Sequence, residues 1–215
     1  MIYPLYPLIH LRRKTIERWV GIRLSMKSVV KPIRGEKSRR GLYELTEFFR
    51  DRLEVPRTIV EIGCYRGDAS VVFAELFRKV WCIDPWEPYP RCDNMPMDHL
   101  SDFTASDWAE VEREFRRRTL EYDNIESLKG RSVEVASSWP HGQVDVVYID
   151  ALHRYENVKA DILAWLPMVR PGGFMSGHDY SQKKWPGVVR AIKEVFPRGI
   201  FIDRFSDSSW AVGIS

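Results

Sequence analysis

The sequence predicts an α/β fold in which a doubly wound, mostly parallel, seven-stranded Rossmann-like sheet carries helices on both faces. Three observations predict it. Apolar, β-branched runs of strand length alternate with amphipathic helical segments through five units. The last two strands are joined by the polar turn 206–208, which is short enough only for an antiparallel pair. Carboxylates lie at four of the five parallel-strand ends, the edge where such sheets bind ligands.

The first strand–turn–helix unit begins at Thr58. The β-branched run 58–63 contains an acid, Glu61, and ends in a glycine, and Gly67 precedes an apolar helix of about residues 67–78. A buried strand, a tight turn and a helix in this order are typical of the first unit of a nucleotide-binding domain. The second strand, 80–84, ends in another acid.

Periodicity and turn residues place the remaining elements. Apolar residues at helical spacing predict a helix over 41–53, before Pro56. Four prolines make 85–106 irregular, and a structureless segment of this length is usually functional. We expect Asp107 to cap a helix that ends at Tyr122. The other expected elements are a strand at 124–129, a turn at 132–138, a strand at 144–150, a helix at 155–169 stopped by Pro171-Gly172-Gly173, a strand at 174–179, a helix at 187–196, and strands at 199–205 and 209–214.

Length and composition bound the class of protein. The 215 residues, 44% hydrophobic and 29% charged, suffice for one α/β domain with an extension. We place a basic N-terminal arm and helical extension at 1–54 and the ligand-binding domain at 55–215. No run approaches the roughly 18 apolar residues of a membrane span, and the N-terminus does not resemble a secretory signal. Cys64, Cys82 and Cys92 lack metal-site spacing, so we expect reduced thiols and a cytoplasmic protein.

Charge is unevenly distributed along the chain. Residues 1–40 contain eleven Lys or Arg and two acids, about +9, whereas the whole chain carries +3. The apolar residues of this arm predict an amphipathic helix packed on the domain. The arm could instead make a peripheral membrane contact or bind nucleic acid, although no basic patch elsewhere indicates a nucleic acid partner. The apolar residues concerned are Ile9, Ile16, Trp19, Val20 and Leu24.

The turn after the first strand indicates the cofactor. Dinucleotide folds use G-x-G-x-x-G, which brings backbone N–H groups and a helix N-terminus to a pyrophosphate. Here the spacing is Gly63-x-x-x-Gly67, and Asp68 occupies the helix start. The negative charges of Asp68 and Glu61 oppose a phosphate and favour a cationic or zwitterionic ligand. S-adenosyl-L-methionine carries a sulfonium, an ammonium and ribose hydroxyls that Asp84 can bind, so the pattern favours it over NAD.

Five stretches of the sequence carry a family resemblance: VEIGCYRG (60–67), IDPW (83–86), YIDALHRYENV (148–158), PGG (171–173) and GHDY (177–180). On these residues the chain resembles class I S-adenosylmethionine-dependent methyltransferases, and among them the macrolide-sugar O-methyltransferases and cephalosporin-hydroxylase-like proteins. The similarity covers roughly residues 55–215. It implies a methyltransferase that transfers a methyl group to a hydroxyl of a glycoside, polyol or similar small metabolite.

The expected cofactor contacts lie at the ends of the first three strands. The turn after the first strand supplies most of them, the acid that ends the second strand binds the ribose, and a serine after the third strand lies on the adenine side. These residues are Glu61, Gly63, Tyr65, Gly67, Asp84 and Ser132.

The second half of the sequence carries the expected catalytic and metal-binding residues. Asp150 and Asp179 end neighbouring strands about 4.8 Å apart, so both can reach Mg²⁺ or another divalent cation. The resemblance implies that His153 is the general base, acting with Asp150, although a local structural role for His153 stays open. Metal-dependent relatives have an acid where this chain has His178, which is a poor Mg²⁺ ligand. His178 is therefore either a third metal ligand or a hydrogen-bond partner of Asp179.

Two other functions remain open at this point. An NAD(P)-dependent oxidoreductase could use the same fold, but the G-x-G-x-x-G pattern is missing. A methyltransferase-like module could dock its basic arm on nucleic acid or a membrane. The acceptor is expected to contact the loops at 85–106 and 180–186, whose sequence has no interpretable pattern. A homo-oligomer is equally compatible with the sequence.

Overall fold

Seven strands form one mixed sheet with helices packed on both faces. The computed structural model describes residues 35–91, 99–196 and 201–215, all within the unit Pro32–Ser215. The strands are β1 (Thr58–Ile62), β2 (Lys79–Asp84), β3 (Ile125–Lys129), β4 (Val144–Ile149), β5 (Val169–Gly177), β6 (Asp203–Arg204) and β7 (Trp210–Gly213). The helices are α1 (Glu36–Arg52), α2 (Asp68–Ala74), α3 (Ala105–Thr119), α4 (Ser132–Ser137), α5 (Tyr155–Trp165) and α6 (Pro186–Val195), with 3₁₀ turns at His99–Asp102 and Leu166–Met168.

The order of strands in the sheet is β3-β2-β1-β4-β5-β7-β6. Strands β1 to β5 pair in parallel, whereas β7 runs antiparallel to both β5 and β6. The chain builds outward from β1 through β2 to β3 and then returns to place β4 on the other side of β1. Strand order therefore reverses between β1 and β4, and a crevice is expected above this point. The predicted fold class is confirmed.

Alternation along the central strands divides the core into two clusters. In β4, where all six residues are buried, Val146 and Tyr148 belong to one cluster, and Val147 and Ile149 belong to the other. This period of two is the side-chain period of a strand buried on both faces. Helices α1, α2 and α3 cover the first cluster, and α4, α5 and α6 cover the second.

Helix α1 packs on the first face of the sheet through aromatic contacts. Phe48 and Phe49 both lie against Phe174 of β5, with ring centroids 5.2 and 5.6 Å apart. Phe48 also contacts Phe205 beside the terminal hairpin, at 5.4 Å. The helix that precedes β1 therefore contributes buried side chains to the core of the sheet.

Helix α1 begins five residues before the predicted start, and α2 ends four residues before the predicted end. Two further predictions also differ from the structure. Helix α3 begins after Thr104, and Asp107 is not the cap but the third residue of the helix. The Thr104 side chain and the Asp107 carboxylate bind each other's backbone N–H groups, which forms a capping box. Residues 132–137, expected as a turn, form the short helix α4. Its burial of Ala136 against the sheet stabilises a helix too short to be recognised by periodicity.

The segment between α5 and β5 was also predicted wrongly. Helix α5 ends at Trp165 because Pro167 has no N–H group to continue the helical hydrogen bonds, and Leu166–Met168 form a 3₁₀ turn instead. Strand β5 starts at Val169, five residues earlier than expected, and includes the proline–glycine stretch. Gly172 and Gly173 exchange backbone hydrogen bonds with Ile214, so pairing with the end of the chain holds this part extended.

Several sequence predictions concern residues that lie outside the part of the chain that the structure describes. They concern the amphipathic helix of the arm within residues 1–34, Cys92 and the prolines of 92–98, and the first residues of the strand predicted at 199–205. None of the described helices is long and apolar enough to cross a bilayer.

Candidate functional site

The ends of β1, β2 and β4 meet at the carboxyl edge of the sheet. The Gly63 N–H donates to the Ile83 carbonyl (2.9 Å), and the Asp150 N–H donates to the Ile62 carbonyl (2.8 Å). Gly63 has φ +83°, and a Cβ at this position would lie 2.3 Å from the Asp150 carbonyl oxygen. Only glycine fits here, because the loop after β1 touches the backbone of the loop after β4.

Asp84 holds the cofactor loop through backbone hydrogen bonds. Its carboxylate accepts from the Tyr65 N–H (2.9 Å) and the Trp86 N–H (2.8 Å). The Trp86 indole N–H donates in turn to the Tyr65 carbonyl (2.9 Å). Burial raises the pKa of Asp84 to about 6, although the backbone N–H groups oppose the shift. Asp84, the residue expected to bind the ribose, therefore also fixes the backbone of Tyr65, whose φ is +47°.

Gly67 begins helix α2 in the left-handed conformation, with φ +82°. A Cβ there would lie 3.1 Å from the ring of Phe115 and 3.3 Å from Thr119 of helix α3. The spacing Gly63-x-x-x-Gly67 therefore meets two separate requirements, an approach of two backbones and a tight helix contact.

Glu61 lies beneath the cofactor loop, not in the open crevice. It is 1% exposed, and its carboxylate accepts a hydrogen bond of 2.5 Å from the Ser70 hydroxyl. It forms a buried group with the thiols of Cys64 and Cys82, whose pKa values burial raises. Glu61 therefore fixes strand β1 to helix α2 below the cofactor loop.

Asp68 does not present an unbalanced negative charge at the start of α2. Its carboxylate lies 3.2 Å from Nη1 of Arg118, a buried arginine that also pairs with Glu114. The electrostatic argument from the sequence needs correction at this residue, because the neighbouring guanidinium largely cancels the charge that was expected to repel phosphate.

Ser132 is engaged between two helices. Its hydroxyl accepts from the Trp165 indole N–H (2.9 Å) and lies beside the buried Asp161. The Gly130 N–H, two residues earlier, donates to the Asp84 carbonyl (3.2 Å). The loop after β3 therefore reaches the end of β2, while the Ser132 side chain joins α4 to α5.

Four charged side chains converge at the ends of β4 and β5. His153 Nε2 lies 2.5 Å from Asp179 Oδ2 and 3.9 Å from Asp150 Oδ1. His178 Nδ1 lies 3.1 Å from Asp179 Oδ2 and 3.7 Å from Asp150 Oδ1. The close His153 contact is an oblique ion-pair contact, because Nε2 has no hydrogen bond of acceptable geometry. The structure brings together all four residues predicted for catalysis and metal binding.

These groups shift each other's protonation. Burial lowers the pKa of His153, but the carboxylates of Asp150 and Asp179 outweigh it and raise the value to about 9. The same balance, with Asp207 added, raises the pKa of His178 to about 10. Burial raises the pKa of Asp179, but the two imidazoles lower it to about 2. Without a ligand, two imidazolium ions therefore face two carboxylates near neutral pH.

Two residues that sequence reasoning missed complete this cluster. Trp185 stacks on the His153 ring, with centroids 4.3 Å apart and planes at 22°. Asp207 has a fully buried side chain, and its Oδ2 lies 3.6 Å from His178 Nε2. Its carboxylate also binds Ser209, and Gly41 of α1 packs directly against it. The sequence Ser206-Asp207-Ser208 looked like an exposed polar turn, and no local pattern distinguishes it from one.

Asp179 itself has an uncommon backbone conformation. Its φ of +61° places it in the left-handed region that favours glycine. The following N–H, of Tyr180, donates to the Ser208 carbonyl in the terminal hairpin (2.8 Å). Strained non-glycine residues often occur at functional sites, where the surrounding structure maintains them.

Asp150, His153 and Asp179 could together hold a metal ion. Each offers one ligand atom, and these atoms lie within 4.8 Å of one another. Two carboxylates with one or two imidazoles suit a transition metal such as Mn²⁺ better than Mg²⁺, which prefers oxygen ligands.

Comparison with known proteins identifies a family. A family model described as a methyltransferase domain matches residues 60–180, more than half of the chain. A curated relative, "Uncharacterized protein y4gI" from Sinorhizobium fredii, is 24% identical over 131 residues. The match covers 58% of this chain and 13% of that protein, so the chain spans a small part of its length.

Solved structures share the fold at low sequence identity. The O-methyltransferase NovP matches with a TM-score of 0.64 and 19% identity, covering 84% of this chain and 81% of that one. CalS11, a calicheamicin methyltransferase, matches with a TM-score of 0.65 and 17% identity, covering 95% and 94%. Its apo structure, described as a TDP-rhamnose 3'-O-methyltransferase, matches at 0.60 and 16%, covering 95% and 96%. The likeness confirms the Rossmann-like methyltransferase fold.

Proposed function

This chain belongs to the methyltransferase domain family, and we propose that it is an S-adenosylmethionine-dependent methyltransferase whose acceptor is a hydroxyl group of a glycoside or a similar small metabolite. The family match supports this over the oxidoreductase alternative. O-methylation of sugars is the activity named for CalS11, whose fold covers 95% of this chain. At 16% identity this likeness shows only the fold, so the acceptor class is our proposal.

The observation that carries the proposal is the contact of His153 with Asp179 and Asp150 beside the crevice. Hydroxyl groups of sugars are weak nucleophiles, so their methylation needs a group that removes the proton. Nε2 of the imidazole lies against Asp179, so in the neutral form Nδ1 is the nitrogen that we propose accepts the hydroxyl proton. Stacking on Trp185 fixes the plane of the ring.

The carboxylates also set when His153 can act as a base. S-adenosylmethionine supplies the methyl group and brings a sulfonium and an ammonium, both positive. Positive charge near Asp150 and Asp179 weakens their hold on the imidazolium proton, which lowers the pKa of His153 from about 9. His153 then accepts the hydroxyl proton at Nδ1, while Asp179 stabilises the imidazolium that forms.

We propose the cofactor contacts where the sequence placed them. Asp84 and the backbone of Gly63 to Gly67 line the ends of β2 and β1. Both glycines have positive φ values, which residues with a Cβ rarely adopt. Glu61 and Ser132 would act indirectly, because their side chains already accept hydrogen bonds from Ser70 and Trp165, respectively.

We further propose that Asp150 and Asp179 can ligate a divalent cation, with His153 or His178 as a nitrogen ligand. The support is the convergence of these ligand atoms within 4.8 Å. Such a cation would lower the pKa of a bound hydroxyl. Because imidazole must lose its proton to ligate, cation binding should release protons and weaken as the pH falls.

The test is methyl transfer from radiolabelled S-adenosylmethionine to a panel of glycosides and polyols. We expect turnover with at least one hydroxyl acceptor, and His153→Ala should lower it about 10²- to 10⁴-fold. The affinity for S-adenosylhomocysteine, measured by calorimetry, should be unchanged. The matched control is His141→Ala, which removes a histidine stacked on Trp81 away from the cluster. Equal losses in the two variants would contradict the role of His153.

A further inference from the structure

The terminal hairpin carries a buried carboxylate to which the proposed function gives no role. The side chain of Asp207 is fully buried, and its Oδ2 lies 3.6 Å from Nε2 of His178. At this distance the contact is an ion pair and not a hydrogen bond. A buried carboxylate is costly unless a positive charge or hydrogen-bond donors compensate it. Within the described part of the chain, the ion-pair partner of Asp207 is His178.

The His178 ring lies between carboxylates on two sides. Its Nδ1 is 3.1 Å from Asp179 Oδ2 and 3.7 Å from Asp150 Oδ1. Its Nε2 faces Asp207. If the ring turned over about its Cβ–Cγ bond, carbon atoms would take the places of both nitrogens and would face the carboxylates. The carboxylate of Asp207 therefore favours the ring orientation in which Nδ1 faces Asp179.

Hydrogen bonds within the hairpin hold the Asp207 carboxylate in place. It accepts from the backbone N–H (2.9 Å) and from the hydroxyl (3.0 Å) of Ser209. The hairpin is also fixed to the backbone of His178, because the Trp210 indole N–H donates to the His178 carbonyl (3.2 Å). The carboxylate and the ring that it faces therefore belong to one connected unit.

Helix α1 packs directly against the same carboxylate. A Cβ at Gly41 would lie 2.2 Å from Cγ and Oδ1 of Asp207, so no side chain fits between the helix and the carboxylate. Glycine weakens the interior of a helix, and this close approach explains why α1 contains one. On the same face of α1, Glu44 accepts from the Ser206 N–H (3.0 Å). The helix before β1 therefore keeps the turn and its carboxylate in position.

We propose that Asp207 is a positioning residue of the active site and that helix α1 keeps it in place, an inference that rests on the proposed function. Asp207 directs Nδ1 of His178 at Asp179, and this carboxylate in turn contacts the proposed base, His153. Asp207 acts through His178 and not on the acceptor or the cofactor. Its loss should therefore lower turnover and leave the affinity for the cofactor unchanged.

A purely structural role for Asp207 makes a different prediction. Aspartates in turns commonly accept the N–H of the second residue after them and so stabilise the turn. Asp207→Asn separates the two roles, because an amide oxygen can accept from the Ser209 N–H and an amide NH₂ can donate to the Ser209 hydroxyl. The substitution retains the hydrogen bonds of the turn and removes the negative charge that faces His178.

Steady-state kinetics and nuclear magnetic resonance test the proposal. We expect Asp207→Asn to lower kcat about tenfold to a hundredfold, and to change KM for S-adenosylmethionine and the affinity for S-adenosylhomocysteine by less than about threefold. The ¹⁵N chemical shifts of the His178 ring, assigned by comparison with His178→Gln, should change as well, because they report what each nitrogen faces. The matched control is Asp203→Asn, which alters an acid of the same hairpin that lies near Arg52.

Gly41→Ala tests the contribution of helix α1. Alanine favours a helix more than glycine does, so α1 itself should form as before. The atoms that the new Cβ meets belong to the side chain of Asp207, which has to move. We expect kcat to fall about threefold or more at unchanged affinity for S-adenosylhomocysteine. The matched control is Gly35→Ala at the start of α1, where a Cβ meets nothing within 4 Å.

Each outcome decides the proposal. Unchanged kcat or unchanged His178 resonances in Asp207→Asn would overturn it, and so would an equal loss of kcat in Asp203→Asn. A fall in S-adenosylhomocysteine affinity in Asp207→Asn would show a general disturbance of the site and would also overturn it. Equal losses in Gly35→Ala and Gly41→Ala would overturn the part assigned to α1. If the unaltered protein methylates no hydroxyl, the proposed function fails, and the His178 resonances still decide whether Asp207 orients the ring.

Discussion

Two halves of the crevice are held together in different ways. In the cofactor half, residues 61–67 and 84–86, backbone groups make most of the contacts, and Asp84 accepts from two backbone N–H groups. In the charged half, residues 150–153 and 178–179 with Asp207, ion pairs among side chains from β4, β5 and the terminal hairpin make them. The cofactor half is held by backbone contacts between two short segments, whereas the charged half depends on side chains from elements far apart in the chain.

The difference suggests separate roles. Backbone hydrogen bonds are satisfied within the cofactor half, so its shape should persist whether or not a ligand is bound. The charged half balances two imidazoles against two carboxylates near Asp150, and a positively charged ligand changes that balance. Substitutions in the cofactor half should therefore change affinity or stability, and those in the charged half should change turnover.

Among the substitutions that compare the two halves, Asp179→Asn should have the largest effect. This change removes the carboxylate shared by His153 and His178, so the imidazole of His153 loses the group that orients it. We expect turnover to fall about 10²- to 10³-fold, as on losing an acid–base function, with little change in S-adenosylhomocysteine affinity. Steady-state kinetics and calorimetry measure both. Asp123→Asn, an exposed acid that precedes β3 at the opposite edge of the sheet, is the control, and a loss of less than threefold in Asp179→Asn would remove the distinction.

The next effect, from Gly63→Ala, tests the junction of the two halves. The added Cβ would lie 2.3 Å from the Asp150 carbonyl oxygen at φ +83°. We expect a loss of unfolding free energy on the order of 2 to 4 kcal/mol from strain and collision, measured by urea denaturation. Gly142→Ala also has positive φ but meets nothing within 4 Å, so it isolates the conformational cost. Equal losses in the two variants would show that the backbones can separate freely.

A smaller effect is expected from Asp84→Ala, within the cofactor half. The change removes the acceptor for the N–H groups of Tyr65 and Trp86 together with the proposed ribose contact. Affinity for S-adenosylhomocysteine should fall about tenfold to a hundredfold. Asp68→Asn should change it by less than about threefold, because Arg118 already neutralises this acid. A larger loss in Asp68→Asn would restore the electrostatic argument from the sequence.

The smallest effect on activity is expected at Asp161, a buried acid in neither half, whose substitution should change stability instead. Burial raises its pKa from 3.8 to about 6 in the folded protein. The unfolded chain therefore loses this proton at lower pH, and stability falls as pH rises from about 4 to about 6. Asp161→Asn should stabilise the protein by about 3 kcal/mol at pH 7.5 and hardly at all at pH 4. Urea denaturation at both values measures this, and equal gains at the two would contradict the pKa argument.

Much of the cofactor half could be predicted from the sequence because its parts are contiguous. The β-branched run before Gly63, the spacing to Gly67 and the acid at the end of β2 each encode a local conformation. Where a local signal was overlooked, the prediction was wrong, as at Pro167, which ends α5 before the expected residue. Helix α4 was missed because six residues are too few for a clear period.

The sequence by itself determined the strand–helix alternation, the antiparallel end of the sheet and the acids at the strand ends, since each depends on neighbouring residues. Only the tertiary structure decided that Arg118 neutralises Asp68, that Asp207 lies against His178 and that Trp185 stacks on His153. Such contacts depend on how distant elements pack, and a charge has the same sequence signature whether it is paired or free. These three contacts join α2 to α3, the end of β5 to the terminal hairpin, and the loop after β4 to the loop after β5.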